Sequence, residues 1–419
     1  MRVIAALLLV PAGCLAQAPY ELVLKGGHLI DPKNNRNGVF DVAVRNGRIA
    51  HVGQNLSGRR EIDVAGLHVT PGLVDLHVHV FYNTGIPDAW AGDNSVQPDA
   101  FSFRTGVTTM VDAGSAGWRN FEAFRITVID RAKTRVLAFV NIAGYGMISD
   151  MVEQGDFDPA QVARLAKKHA DVVVGVKTAH YRKPDWTAVD RALEAGRLAG
   201  LPVMVDFGYF LPERPFYRLV TERLRPGDIA THMFRGPVPW VDASGKLYGY
   251  LSEARRRGIV FDVGHGGGSF VFRNAAPAIA QGFYPDSIST DLHTGSMNGA
   301  MIDMPTTMSK MLALGMPLAE VIRASTAKPA EIIRRPELGH LGEGAPADIA
   351  VWNLQKGAFR FADAAGGAVS GELRLFCELT LKGGEIVWDW NARSAVDYRQ
   401  LGPVYGIRPG FDSIVPPRR

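Results

Sequence analysis

Eight apolar, strand-like runs recur along the middle of the chain with helix-like or loop segments between them, and this alternation constrains the fold more than any other feature. The runs are GLVDLHVHV (72–80), GVTTMVDAG (106–114), RVLAFVNIAG (135–144), DVVVGVKTAH (171–180), LPVMVDFG (201–208), DIATHMF (228–234), GIVFDVGHG (258–266) and DSISTDLH (286–293). Near-continuous apolar strands of this kind are buried on both faces, as in parallel sheets. Between them, DPAQVARLAKKHA and DWTAVDRALEAGRLAG place apolar residues at helical spacing, and the second runs into Gly200, a helix stop. Eight buried strands with helical connections predict an α/β fold, a (β/α)8 TIM barrel over residues 70–340. A doubly wound open sheet is the alternative, but no run resembles a Gly-rich dinucleotide turn.

The flanks read differently. ELVLKGGHLID (21–31) has the pattern of two short strands around a Gly-Gly turn, and DVAVRNGRIAHVG (41–53) repeats the device with Asn46-Gly47. Near the other end CELTLKGGEIVWD (377–389) echoes the first of these, and ADIAVWNL (347–354) supplies a further strand. These segments predict a small β-sandwich assembled from both chain ends, residues 19–69 and 341–395, with a tail at 396–419. At 419 residues and 47% hydrophobic, the chain is long enough for a barrel of about 250 residues and such a companion.

Arg2, the apolar run VIAALLLV and the small residues around Ala16 and Ala18 have the parts of a secretory signal, placed at residues 1–18. The apolar run is too short to span a bilayer, so export to the periplasm or medium is expected, without stable membrane insertion. Gly13-Cys14 suggests a lipoprotein site, which Pro11 disfavours. With Cys14 removed, Cys377 has no partner, and stability must come from the core and not from disulfides. A net charge of +4, with no basic run interleaved with aromatics, gives no reason to expect nucleic-acid binding. The oligomeric state is open, a homo-oligomer included.

In barrels of this type the chemistry sits at the C-terminal ends of the strands. Read in order, those ends carry His77 and His79, Asp112, Asn141, Lys177, Asp206, His232, His265, and Asp291 with His293. His77 and His79 are two apart, so on a strand both imidazoles face one way. One such residue would be unremarked; metal-ligand types on several strands at one level point to a metal centre. Lys177 follows DVVVGV, where burial penalises its charge, lowers its pKa and leaves a nucleophilic amine able to add carbon dioxide. The resulting carbamate can bridge two divalent ions. Asp291 can ligate a metal and also accept a proton from a bridging water, whose pKa such a centre lowers.

This set of motifs resembles the amidohydrolase superfamily, in particular its dihydroorotase-like, deacetylase-type branch. TPGLVDLHVH, GVTTMVDAGSAG, GVKTAH, THMF, DVGHGGGSF, STDLH and LGEGAPADIAVWN carry the likeness, which runs from about residue 21 to 395. The resemblance implies two Zn2+ ions per subunit, His77, His79 and Asp291 holding one, a carboxylated Lys177 bridging, and residues of the fifth and sixth strands holding the other. His232 supplies the sixth-strand ligand. The fifth strand ends in Asp206 where relatives usually show His, and a carboxylate is an accepted zinc ligand. His265 is the alternative donor, and otherwise contacts substrate. HVHVFYNTG lacks the Arg that dihydroorotase usually carries after its paired histidines, so Phe81 and Tyr82 suggest a different pocket wall and a non-pyrimidine substrate.

The expectation is hydrolysis of an acyl ester or amide of a small, carboxylate-bearing compound, with Asp291 moving the proton and His180, Arg182, Arg235 and His293 contacting substrate beside Lys183. Two rivals stay open: a cyclic-amide hydrolase of the dihydroorotase or hydantoinase type, and a non-catalytic binding scaffold. The GHGGGSF loop (264–270) lets backbone approach a ligand closely.

Overall fold

The computed structural model describes residues 20–82, 94–147, 152 and 155–414, so the expected signal segment lies outside the described residues. The chain opens with β1 (Tyr20–Asp31), β2 (Arg36–Arg45), β3 (Arg48–Gly53), β4 (Gly58–Asp63) and β5 (His68–Pro71). Seven barrel strands follow: β6 (Leu73–Val78), β7 (Val107–Gly117), β8 (Arg135–Asn141), β9 (Val173–Thr178), β10 (Val203–Val205), β11 (Ile229–Ala230) and β12 (Val260–Phe261). The chain then returns to the first sheet as β13 (Ile349–Ala362), β14 (Ala368–Lys382) and β15 (Glu385–Asp389).

Both ends therefore share one mixed sheet, ordered β15-β14-β13-β5-β1-β2-β3 with β4 also paired to β1. It encloses its own core, in which Leu24, Val42 and Ile62 from the first half meet Ile349, Val351 and Leu379 from the second. The Asn46-Gly47 and Gly383-Gly384 pairs turn the chain as expected, since both residues of each pair have positive φ, as a tight hairpin of this kind requires. The first Gly-Gly pair does not. β1 runs straight through it, because Gly26 alone is left-handed (φ 68°) and a single such residue makes a bulge where a reversal needs two. That bulge divides β1 between partners, residues 20–25 pairing with β4 and His28 and Leu29 with β5.

The barrel strands are all parallel and lie in sequence order, β6 to β12. The eighth run forms no extended strand. It closes the cylinder through single parallel bridges, Ser287 to Asp262 and Leu292 to Val78, with Val263 N–H donating to Ser287 O and His79 N–H to Leu292 O, both at 2.9 Å. The last two strands are short, and left-handed residues follow soon after them, His232 (φ 58°) and Gly264 (φ 47°), as Asp291 (φ 50°) does in the eighth run. The two predicted helices form over Pro159–Lys168, where the Asp158 side chain caps Gln161 N, and over Thr187–Ala199, which ends on a left-handed Gly200.

Sheet and barrel are joined by Trp352, whose indole packs where a Cβ on Gly106 would sit 2.4 Å away and donates a 2.9 Å hydrogen bond to Thr70 Oγ1. Cys377 is buried and forms no disulfide among the described residues. Among the described residues no helix is long and apolar enough to cross a membrane.

Candidate metal centre

β6 alternates faces, so Asp75, His77 and His79 come up on one side, and the two imidazoles lie with ring centroids 5.5 Å apart. His77, His232 and His79 each have their Nδ1 occupied. His77 Nδ1 meets Thr231 Oγ1 at 3.0 Å, and since that hydroxyl donates to Asp262 at 2.7 Å, the ring must donate to it. His232 Nδ1 lies 2.6 Å from the carbonyl of Gly264, which can only accept. His79 Nδ1 meets Ser115 Oγ at 2.9 Å. With Nδ1–H engaged, the Nε2 lone pairs of His77 and His232 are left for a ligand, the arrangement that fixes the tautomer of metal-binding histidines.

Zinc–nitrogen and zinc–oxygen bonds of about 2.0–2.1 Å at tetrahedral angles place neighbouring donor atoms about 3.3 Å apart. Asp291 Oδ1 lies 3.4 Å from His77 Nε2 and 3.1 Å from His79 Nε2. Asp206 Oδ2 lies 3.4 Å from His232 Nε2. His77, His232 and Asp291 also offer donor atoms within 4.8 Å of one another. The donors suit a divalent ion in chemistry, and His77, His232 and Asp291 stand close enough to share one.

Lys177, on β9, has no exposed surface, and its Nζ lies 3.1 Å from His77 Nε2 and 3.7 Å from Met204 Sδ. Neither neighbour is a carboxylate, and burial pushes its pKa down despite the more distant Asp206 and Asp291. Its stem passes over Gly114, where a Cβ would come within 2.6 Å of Lys177 Cγ. Burial also lowers His77, to about 3. For Asp291 burial works the other way, but the surrounding His77, His79 and His232 outweigh it and hold the carboxyl well below its usual range. Asp206 is likewise held low against its burial by His232 and His180.

A 270 Å³ cavity opens above these groups, lined in part by His79, His180, Asp206, Arg235, Asp291 and His293. A hollow of 540 Å³ between Pro32 and Leu338 is larger but gathers no imidazole. His293 Nε2 sits 3.9 Å from Asp291 Oδ2, and Arg235 Nη1 sits 3.9 Å from Asp206 Oδ1. Two expected contacts are placed elsewhere. Arg182 does not line the cavity; it donates to the Tyr209 hydroxyl at 3.1 Å. His265 is wholly buried, its Nδ1 on Gly266 O at 2.9 Å and its Nε2 on Lys310 Nζ at 2.7 Å, so neither ring nitrogen is left for metal or substrate.

Phe81 is also core, packed on Phe124 with centroids 5.0 Å apart, and neither it nor Tyr82 lines the cavity. Asp112 and Asn141 are structural, accepting from Val80 N and Ala143 N at 2.9 and 3.0 Å. Thr231, Asp262, Ser115 and Lys310 form the supporting layer, and apart from Thr231 no sequence signal singles them out, because hydroxyls and strand-end carboxylates are common. Thr231 alone had a cue, standing next to His232.

The sequence pattern of the Amidohydrolase family matches residues 271–377. A deacetylase of Agrobacterium fabrum is 36% identical over 344 residues, covering 79% of this chain and 82% of its own. A deacetylase of Brucella anthropi is 34% identical over 346 residues, covering 79% and 83%. Among solved structures, a dihydroorotase superposes with a TM-score of 0.77 at 30% identity, covering 88% of this chain and 99% of its own. With the closed parallel barrel, the strand-end imidazoles and carboxylates, and relatives matched over most of their length, this chain belongs to the amidohydrolase family.

Proposed function

We propose that the chain is a zinc-dependent deacylase that hydrolyses an acyl amide or ester of a small, carboxylate-bearing compound. The observation that carries the reading is the pairing of Asp291 with His77 and His79 and of Asp206 with His232, donor atoms 3.1–3.4 Å apart in each pair, with a buried lysine 3.1 Å from His77. His77, His79 and Asp291 would hold one ion, and His232 with Asp206 a second. When bound, the ions supply Lewis acidity, lowering the pKa of water and polarising a carbonyl.

Lys177 supports this reading as a carbamate. Its neutral amine forms an N–C bond to carbon dioxide and releases a proton, giving an anion whose two oxygens suit a pair of cations. Asp291, kept ionised by three imidazoles, takes the proton of the attacking water and returns it to the leaving nitrogen or oxygen. Arg235, partly exposed at the cavity wall, offers its guanidinium to the substrate carboxylate. His293, close to Asp291 Oδ2, is placed to contact the acyl group or the departing one. Relatives called deacetylases support acyl transfer to water over ring opening.

The test is a screen of N-acyl amino acids, O-acyl hydroxy acids and cyclic amides with zinc-loaded protein, using Lys177→Ala as the blank. Turnover of the acyl compounds, abolished in the blank, is expected. Turnover of cyclic amides alone would favour a ring-opening hydrolase, and equal turnover by the blank would remove Lys177 from the reaction.

A further inference from the structure

His180 follows β9 and lies on the cavity wall beside Asp206, with its Nε2 3.1 Å from Asp206 Oδ2. The same oxygen lies 3.4 Å from His232 Nε2. Asp206 Oδ1 is occupied separately, accepting from Gly208 N at 2.8 Å. One carboxylate oxygen thus faces two imidazole nitrogens, each at the separation expected along an edge of a zinc tetrahedron, about 3.3 Å.

The backbone around His180 is shaped for this placement. His180 is left-handed at φ 56°, an unfavourable conformation for a residue with a Cβ. Gly208 packs against it so closely that a Cβ there would lie 3.0 Å from His180 Cα and 3.1 Å from its N. The loops after β9 and β10 are therefore fitted to each other at the one point that brings His180 to Asp206. A solubilising histidine needs neither the strained turn nor the glycine.

We infer that His180 is a metal ligand, completing with Asp206 and His232 a second cation site beside the one held by His77, His79 and Asp291. The inference rests on the metallohydrolase reading above and extends it, since His180 was expected only to contact substrate. It gives the second site two neutral nitrogens and one carboxylate, a donor set suited to zinc. The rival account is an ordinary ion pair between Asp206 and a protonated His180, which would leave metal content untouched.

The experiment measures zinc per chain by elemental analysis after reconstitution with zinc and bicarbonate and exhaustive dialysis, in the wild type, His180→Asn and Lys177→Ala. Asparagine tolerates the left-handed backbone, so the fold is kept. The cobalt(II)-substituted proteins give a second readout, the intensity of ligand-field absorption. Two ions in the wild type and one in His180→Asn, with weakened cobalt absorption, are expected. Two firmly held ions and an unchanged cobalt spectrum in His180→Asn would overturn the ligand role and leave the hydrolase reading standing. A wild type that holds no metal would overturn both.

Discussion

Gly266→Ala probes the centre without replacing any group that reacts. Gly266 has φ 54°, and a Cβ on it would stand 2.3 Å from Asp291 Oδ2. Carbon–oxygen contacts settle at about 3.3–3.6 Å, so the carboxylate must retreat by about 1 Å. The left-handed backbone adds about 1–2 kcal/mol of strain for alanine. Asp291 cannot retreat freely, because its Oδ1 is 3.1 and 3.4 Å from His79 and His77 and its backbone carbonyl accepts from Ser296 Oγ at 2.9 Å. A misplacement of about 1 Å at a reacting group can cost about 100-fold in rate, so kcat is expected to fall by about that factor while the protein stays folded at a slightly lower melting temperature. The assay is kcat at saturating substrate, with zinc content measured in parallel. Gly268→Ala is the control. Gly268 lines the same cavity, but a Cβ there meets nothing within 4 Å, so kcat should hold. If Gly266→Ala turns over like the wild type, or Gly268→Ala loses as much, the packing of this loop on Asp291 is not what positions the carboxylate.

Three further outcomes concern the residues around the centre. Ser115→Ala and Thr231→Val remove the partners of His79 and His77 Nδ1, and zinc affinity in a chelator competition should drop about 10- to 100-fold in each, as for outer partners of metal-binding histidines generally. Arg235→Met should raise KM for carboxylate-bearing substrates by about 10- to 100-fold, the worth of a charged hydrogen bond, and leave KM for neutral analogues unchanged. Lys310 is buried, and desolvation lowers its pKa from 10.5 to about 7. The unfolded chain therefore carries the extra proton between those values, so this lysine makes the fold more stable as pH rises from about 7 to 10, at up to about 1.4 kcal/mol per pH unit. Denaturant titrations of wild type and Lys310→Met should show a stability difference that changes with pH over that window, and a flat difference would sink the assignment.

The barrel was legible because its strands are apolar on both faces, so their runs stand out from the helical segments between them. Metal-ligand types were legible for a related reason: His, Asp and Lys at the end of an apolar run have no place in a core unless something pairs with them. Two kinds of feature stayed hidden. The Gly26-Gly27 pair looks in sequence like Gly383-Gly384, yet one continues a strand and the other reverses it, since the outcome depends on whether one or both residues are left-handed. His265 looks like His232, each closing a strand in the same way, but Lys310 reaches it from the helix over Met304–Ala313 and takes its free nitrogen. That pairing joins residues 45 positions apart and leaves no mark on local pattern.

The backbone conformations of the centre share one logic. His180, His232 and Asp291 all have positive φ, three of the nine non-glycine residues that do so among those described. Each stands just past the end of a strand run, where continuing the strand would point its side chain alternately into the barrel and into the helices. A left-handed residue breaks the alternation and re-aims the side chain. Each such turn costs about 1 kcal/mol or more, and it persists only where neighbouring structure holds it. Here Gly208 packs on His180, Gly264 accepts from the His232 ring, and Gly266 leaves room for Asp291. The glycines in VDFG and GHGG are thus the counterparts of the strained residues, and side chains from five separate strand runs are brought together where strain on one loop is matched by a missing side chain on a neighbouring one.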